Sequence, residues 1–378
     1  MDQHQARFLS LDVFRGLTIC FMIIVNTPGS GATPFAPLQH AAWHGFTPTD
    51  LVFPSFLFAV GNALSFSMIK LRTKASPPVL KKIFKRTVLI FLIGYLMYWF
   101  PFYGFNPEGK VVLSPISQTR ILGVLQRIAL CYCAAALLVY YFRKKTVLLI
   151  SAIILLAYWT ILLIFGDPSD PLGMSGNAGT HLDKLILGDG HLYHGEGIPF
   201  DPEGILGTFP AIVNVIVGYY AGEYIQKKGR NYEGIARLML WGALFIFAAL
   251  CWNGLFPINK KLWTSSFVLL TTGIDLLIIS ILVYWVEIQQ HQDTLWVKFL
   301  EIPGKNPLLL YVLSEILATL MWRIPMKEEP DLYKWISIHW YQYLAPGPTG
   351  SLLFALTVMM ICWLIGWLLN KNKIYIRV

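Results

Sequence analysis

Between two apolar runs, Phe8–Val25 and Leu51–Ile69, the chain carries a polar stretch, NTPGSGATPFAPLQHAAWHGFTPTDLVFP, at residues 26–54. His40 and His44 lie within it, and histidine is the side chain whose ordinary pKa falls near neutral pH. Such a ring can take or give a proton in a reaction run at that pH. Asp50, ten residues after His40, can orient an imidazole through a carboxylate contact. It can equally cap the next helix, whose first turn would hold Pro54. Asn26 ends the preceding apolar run and adds a polar amide to the same stretch. Proton handling beside a membrane is the chemistry these residues suggest.

Other polar residues fall where a membrane tolerates few. Asp12 and Arg15 are three apart on one helical face. They either pair with each other or leave Arg15 to an anion. Gln126 and Arg127 lie inside the apolar run VLQRIAL, with Arg120 one or two turns before them. Arg127 needs a buried partner or a cavity holding an anionic ligand. Asp275 and Glu315 are further in-span acids, and Asn259, Lys260 and Lys261 directly precede the apolar run at 263–287. Asp201 and Glu203, in FDPEG, read as N-terminal acids of the helix that follows. His191, His194 and Glu196 have metal-like spacing, but no second ligand pair accompanies them, and no metal is expected. Walker, GxSxG and dinucleotide GxGxxG motifs are absent.

These groups need a scaffold, and the composition says which kind. Of 378 residues, 56% are hydrophobic and 13% charged. The mean hydropathy is +0.56. Soluble domains carry about a quarter charged residues, so the expectation is an all-α polytopic membrane protein. Spans are expected near 8–27, 51–70, 84–103, 121–141, 146–166, 205–226, 235–255, 263–287, 305–323 and 350–370, which makes ten. An aromatic segment, 331–345, reads as an interfacial helix, or as an eleventh crossing. The whole chain, 1–378, is one transmembrane domain, and its largest loop, 167–204, is long enough to act as a lid. Gly218 and Gly222 form a GxxxG step suited to close helix packing.

Basic residues cluster at 70–86, 143–145, 227–237 and 371–377. All four clusters fall on one side if the spans alternate, which makes that side, and both termini, cytoplasmic. The loop with His40 and Asp50 then faces the periplasm or a lumen. This distribution also accounts for the net charge of +9 without nucleic acid. The first span reads as a retained helix, not a cleaved leader. The five cysteines lie in apolar runs and read as small hydrophobes.

Six blocks carry a resemblance: SLDVFRGLTICFMIIVN, HAAWHGFTPTDLVFPSFLF, GVLQRIA, FDPEGILGTFPAI, FPINKKLWTSSF and IPGKNPLLLYV. In this order they resemble the heparan-α-glucosaminide N-acetyltransferase family. The chain looks like a compact bacterial member, which implies the bacterial inner membrane. The resemblance implies acetyl transfer from cytoplasmic acetyl-CoA, as co-substrate, to the amine of a terminal glucosamine across the membrane. It implies His40 as the active-site histidine, acting as general base or as acetyl acceptor, with Asn26 and Asp50 beside it. His44 departs from the animal enzymes, which carry Asn there. Beside this, the charges suggest a CoA path past Arg15, Arg120, Gln126, Arg127 and Lys260. Membrane lipid surrounds such a protein, and a homodimer is compatible with the family. A sugar or amino-sugar transporter and an O-acetyltransferase of surface polysaccharide are the competing readings.

Overall fold

The computed structural model describes residues 8–72, 76–105 and 110–376. Lys74 and Arg377, which entered the charge reading above, lie outside the described residues. The architecture is helical: α1 (Leu9–Asn26), α2 (Pro48–Leu71), α3 (Ser76–Trp99), α4 (Val124–Tyr141), α5 (Lys144–Phe165), α6 (Ala178–Leu187), α7 (Ile205–Lys228), α8 (Tyr232–Asn253), α9 (Ser265–Val283), α10 (Leu295–Lys305), α11 (Pro307–Arg323), α12 (Leu332–Ile336) and α13 (Pro348–Lys371). A small antiparallel hairpin, β1 (Tyr103–Phe105) with β2 (Val111–Leu113), joins α3 to α4.

Eight of these helices are long and apolar enough to cross a membrane: α1, α2, α4, α5, α7, α8, α9 (continued to Ile288) and α13. They divide into inner and outer members. The apolar windows of α2, α7 and α9 are 72%, 78% and 72% buried, whereas those of α5, α8 and α13 are 28%, 28% and 33% buried. The inner helices therefore build the core, and the outer ones present apolar faces outward, as lipid demands. Two further long helices differ in composition or length. The first turns of α3 carry Lys81, Lys82, Lys85 and Arg86, and α11 has 17 residues.

α2 crosses α7 at close range. A Cβ on Gly61 would lie 2.0 Å from the Val215 carbonyl oxygen, and one on Gly218 2.1 Å from that of Phe58. The GxxxG step thus serves an intrachain contact, where only a hydrogen side chain lets the backbones approach this closely. Boundaries depart from hydropathy in identifiable ways. α2 opens at Pro48, so Pro54 lies inside the helix, not in its first turn. The block 302–312 is split at Asn306, with α10 ending at Lys305 and α11 opening on Pro307 at N1. The aromatic segment forms the single turn of α12, which passes into a π-helical stretch at Ser337–Gln342.

Segment 167–204 is packed rather than loose. It contains α6, and Asn177, Thr180, Asp183, Leu192, Phe200 and Asp201 are all buried. Asp183 Oδ1 accepts the Ile205 N–H, 2.9 Å away, at the first residue of α7. That corrects the expectation for Glu203. The α7 N-terminus is capped by an acid from α6, and Glu203 is engaged elsewhere.

Candidate active site

The His40 site is built from the start of α2 outward. Asp50 is the third residue of that helix and 1% exposed. Its Oδ2 accepts the N–H groups of Thr47 (3.0 Å) and Ala41 (3.2 Å). The first of these is the reciprocal arm of a capping box, which fixes the carboxylate rotamer. The other oxygen, Oδ1, lies 2.7 Å from His40 Nδ1. An ionised carboxylate only accepts, so Nδ1 carries the ring hydrogen and Nε2 keeps an in-plane lone pair. The His40 side chain remains 41% exposed. A locked Asp thus presents a ring whose free nitrogen is a base.

The loop bearing His40 is tied down from two sides. Gly45 donates to the Ile258 carbonyl (2.8 Å), Lys261 Nζ to that of Ala42 (3.0 Å), and Trp43 Nε1 to that of Leu172 (3.0 Å). Gly45 has φ +120°, a backbone region that a side chain rarely enters. Asn259 Nδ2 lies 3.3 Å from His44 Nδ1. Lys260 brings its Nζ to 3.1 Å from His40 Nε2 and 3.3 Å from Nδ1. Burial draws the His40 pKa below its ordinary 6.5, the Asp50 hydrogen bond opposes this, and the Lys260 charge adds to it. Burial also lowers the Lys260 ammonium, with Glu203 and Asp50 pulling the other way.

Arg120 is taken up by acids. Its Nε and Nη2 reach the two Asp201 oxygens at 2.9 and 2.6 Å, and Nη2 also reaches Glu203 Oε2 at 2.6 Å. The guanidinium lies over the rings of Tyr193 (4.8 Å) and Tyr98 (5.1 Å). Burial pushes Glu203 up, but Arg120, Arg127 and Lys260 together hold it below the ordinary glutamate range. Instead of lining a channel as a free cation, Arg120 is the centre of a clamp.

Arg127, seven residues further along and in the first turn of α4, is 1% exposed. Its Nη2 donates to the Gly204 carbonyl at 3.1 Å, and its guanidinium lies 4.9 Å from the Trp263 ring centroid. Among the described residues, Nε and Nη1 have no partner, and neither amide atom of the fully buried Gln126 has one. Trp263 adopts φ +57° and donates to Asn214 Oδ1 at 3.1 Å. Left-handed backbone costs a non-glycine residue about 1–2 kcal/mol; burial of the indole offsets it. Arg15 pairs with Asp12, and its Nε is buried without a partner.

Asn26 does not join His40. Its Nδ2 donates to Glu315 Oε1 at 3.2 Å, across α1 and α11. Glu315, Tyr98, Phe100 and Arg323 line a cavity of about 290 Å³. A second cavity of about 410 Å³ shares Tyr98, Phe100 and Arg323 and extends to Arg120, Tyr193 and His194. His40 lines neither; its imidazole is reached from the exposed side. The metal-like trio is dispersed, with His191 Nδ1 2.7 Å from the Thr119 carbonyl and Glu196 paired with Lys261 at 2.7 Å.

Comparison with known proteins now decides what scaffold this is. The sequence profile described as "Heparan-alpha-glucosaminide N-acetyltransferase, catalytic" matches residues 7–254. The chain belongs to this family. It is 29% identical to heparan-alpha-glucosaminide N-acetyltransferase of Homo sapiens over 367 residues, covering 82% of this chain and 53% of the human protein. The Mus musculus protein is 30% identical over 368 residues, covering 82% and 54%. The chain thus spans about half the length of the curated relatives it matches. The family takes its name from an N-acetyltransferase, and eight helices among the described residues are long and apolar enough to cross a membrane. Asn26, His40, Asp50, Arg120 and Arg127 fall within the matched residues, and Lys260 lies beyond them. Lys260 and Glu315 are neighbours that sequence order hid: 220 residues separate Lys260 from His40, and 289 separate Glu315 from Asn26.

Proposed function

We propose that this protein transfers acetyl from acetyl-CoA, entering from the cytoplasmic side, to the amino group of a glucosamine-type sugar on the opposite face. The observation that carries this reading is the His40–Asp50 pair: a buried, doubly N–H-bonded carboxylate holding a half-exposed imidazole at 2.7 Å. An amine attacks only as the free base, so a group must take its proton. His40 Nε2 is that group. Asp50 holds the tautomer and steadies the imidazolium that forms. Asn26, at the end of α1 and bonded to Glu315, would add its amide to the acceptor side.

The donor path follows the unpartnered donors. Arg127 Nε and Nη1 and the Gln126 amide are buried polar atoms without partners, and such atoms suit the phosphate and amide groups of an extended CoA chain. Arg15 is eleven residues from Asn26 on α1, roughly 16 Å along the axis at 1.5 Å per residue, and would meet the nucleotide end. Acetyl-CoA supplies the activated thioester; the chain binds, orients and removes a proton. Arg120 is committed to Asp201 and Glu203 and falls outside the donor path. The acceptor amine would come to His40 from its exposed side, with 167–204 as the cover.

This reading takes α3 and α11 as two further crossings, ten in all, with both termini cytoplasmic and the protein in a bacterial inner membrane. A homodimer remains compatible with it. The test is direct. Protein in proteoliposomes receives acetyl-CoA on the basic side and glucosamine oligosaccharides on the other, and products are weighed by mass spectrometry. An N-acetylated sugar is expected. A hydroxylamine-labile acetyl ester would indicate O-acetylation, and sugar flux without acetyl-CoA would indicate a transporter; either result defeats the proposal.

A further inference from the structure

Lys260 Nζ is nearly equidistant from the two His40 ring nitrogens, at 3.1 and 3.3 Å. Those nitrogens flank a single carbon. An atom at this range from both cannot lie in the ring plane without overlapping ring carbons. The ammonium therefore stands over the ring face, where the π system of a neutral imidazole attracts it. It does not occupy the in-plane lone pair of Nε2, and Asp50 holds Nδ1 on the other edge.

This arrangement resolves a conflict in the pair itself. A buried carboxylate alone would favour the imidazolium and leave His40 already protonated when the amine arrives. A cation over the ring face opposes that, since it attracts neutral imidazole and repels imidazolium. We propose that Lys260 is a positioning residue for acetyl transfer: its ammonium keeps the His40 ring unprotonated and Nε2 open to the reacting amine. The proposal rests on His40 being the base. The charges acting on the two groups are Asp50 from α2, Glu203 from the turn before α7, and Lys261 with its partner Glu196. Lys260 itself is half-buried, held between the two acids Glu203 and Asp50, which explains why a cation persists there.

The test reads His40 directly and needs no acceptor. Diethyl pyrocarbonate modifies only neutral imidazole, and its rate at His40 is followed against pH by peptide mass mapping. The wild-type midpoint should fall below 6.5. In Lys260→Gln and Lys260→Met it should rise by about one pH unit, a tenfold gain in proton affinity. Lys260→Arg should keep the wild-type midpoint. An unmoved or lowered midpoint in the neutral variants overturns the proposal. Should those variants not fold, unsubstituted protein decides. High salt (~1 M, where charges are screened within about 3 Å) weakens the half-exposed Lys260 contact more than the buried Asp50 contact. The midpoint should then rise, and a constant or falling midpoint overturns the proposal equally. If His40→Ala still transfers acetyl, the base assignment falls, while this titration still reports what Lys260 does to the ring.

Discussion

Arg120 and Arg127 lie seven residues apart on the approach to and first turn of α4, and they are opposite cases. Arg120 is saturated by two carboxylates and two tyrosine faces at the loop end of the bundle. Arg127 is more deeply buried and has one carbonyl, one indole face and two idle nitrogens. The first arginine satisfies acids that would otherwise be stranded. The second carries the cost of a buried charge with little return inside the protein, which is the signature of a group kept for a ligand. The same contrast separates the two sides of the site: a loop face of closed ion pairs around His40, and a core of donors left open.

The largest test of the loop face is His40→Ala. Loss of the base should lower acetyl-transfer turnover by roughly 10²–10⁴-fold, read from the acetylated product, while the protein still inserts and binds acetyl-CoA. Turnover within tenfold of wild type would remove His40 from the chemistry and collapse the contrast at its centre.

Next come the arginines, exchanged for the same apolar residue. Arg120→Met leaves Asp201 and Glu203 buried without their cation and should cost about 3–5 kcal/mol in unfolding, measured in detergent by thermal or denaturant scans. Arg127→Met removes two unpartnered buried nitrogens and should leave stability close to wild type. Its effect should appear as a rise of roughly tenfold in KM for acetyl-CoA, the value of one charged hydrogen bond. If Arg127→Met unfolds the protein with KM unchanged, Arg127 is structural and the two arginines are alike.

How much of this was legible follows from the range of each interaction. Apolar run length reveals spans, since it depends on neighbours in sequence; hence α1, α2, α4, α5, α7, α8, α9 and α13 coincide with the expected segments. The His40–Asp50 contact spans ten residues and is pinned by a local capping box, so residue type and spacing suggested it. Arg120 meets Asp201 across 81 residues and Lys260 meets His40 across 220. No local pattern encodes either contact, and Arg120 and Lys260 read from sequence only as cations along a CoA path. Glu203 misled for the same reason: an acid before a helix reads as its cap, while the actual cap, Asp183, comes from a different helix. The polar run Gly304–Pro307 marks the start of α11, expected at 305, whereas α10 before it is too short to show as an apolar span.

Asp183 gives the smallest and most easily signed effect. It belongs to the loop face, yet has no cation hydrogen-bonded to it among the described residues; it accepts the Ile205 N–H. Burial pushes its carboxyl from 3.8 to about 7, the Ile205 hydrogen bond opposes this, and Asp201 adds to it. A carboxyl raised on folding favours the folded state while protonated. Its contribution is therefore fully present below pH 3.8 and is lost as pH rises through about 7. Asp183→Asn keeps an oxygen for Ile205 and cannot ionise. Its stability relative to wild type should improve as pH rises from 3.8 to about 7, in denaturant scans. Asp183→Ala should lose about 1 kcal/mol at pH 6, the value of a helix cap. A wild-type advantage over Asp183→Asn that grows with pH would mean that the carboxylate, not the acid, is the form the fold selects, and that Asp183 joins Asp201 and Glu203 among the paired acids around Arg120 and Arg127.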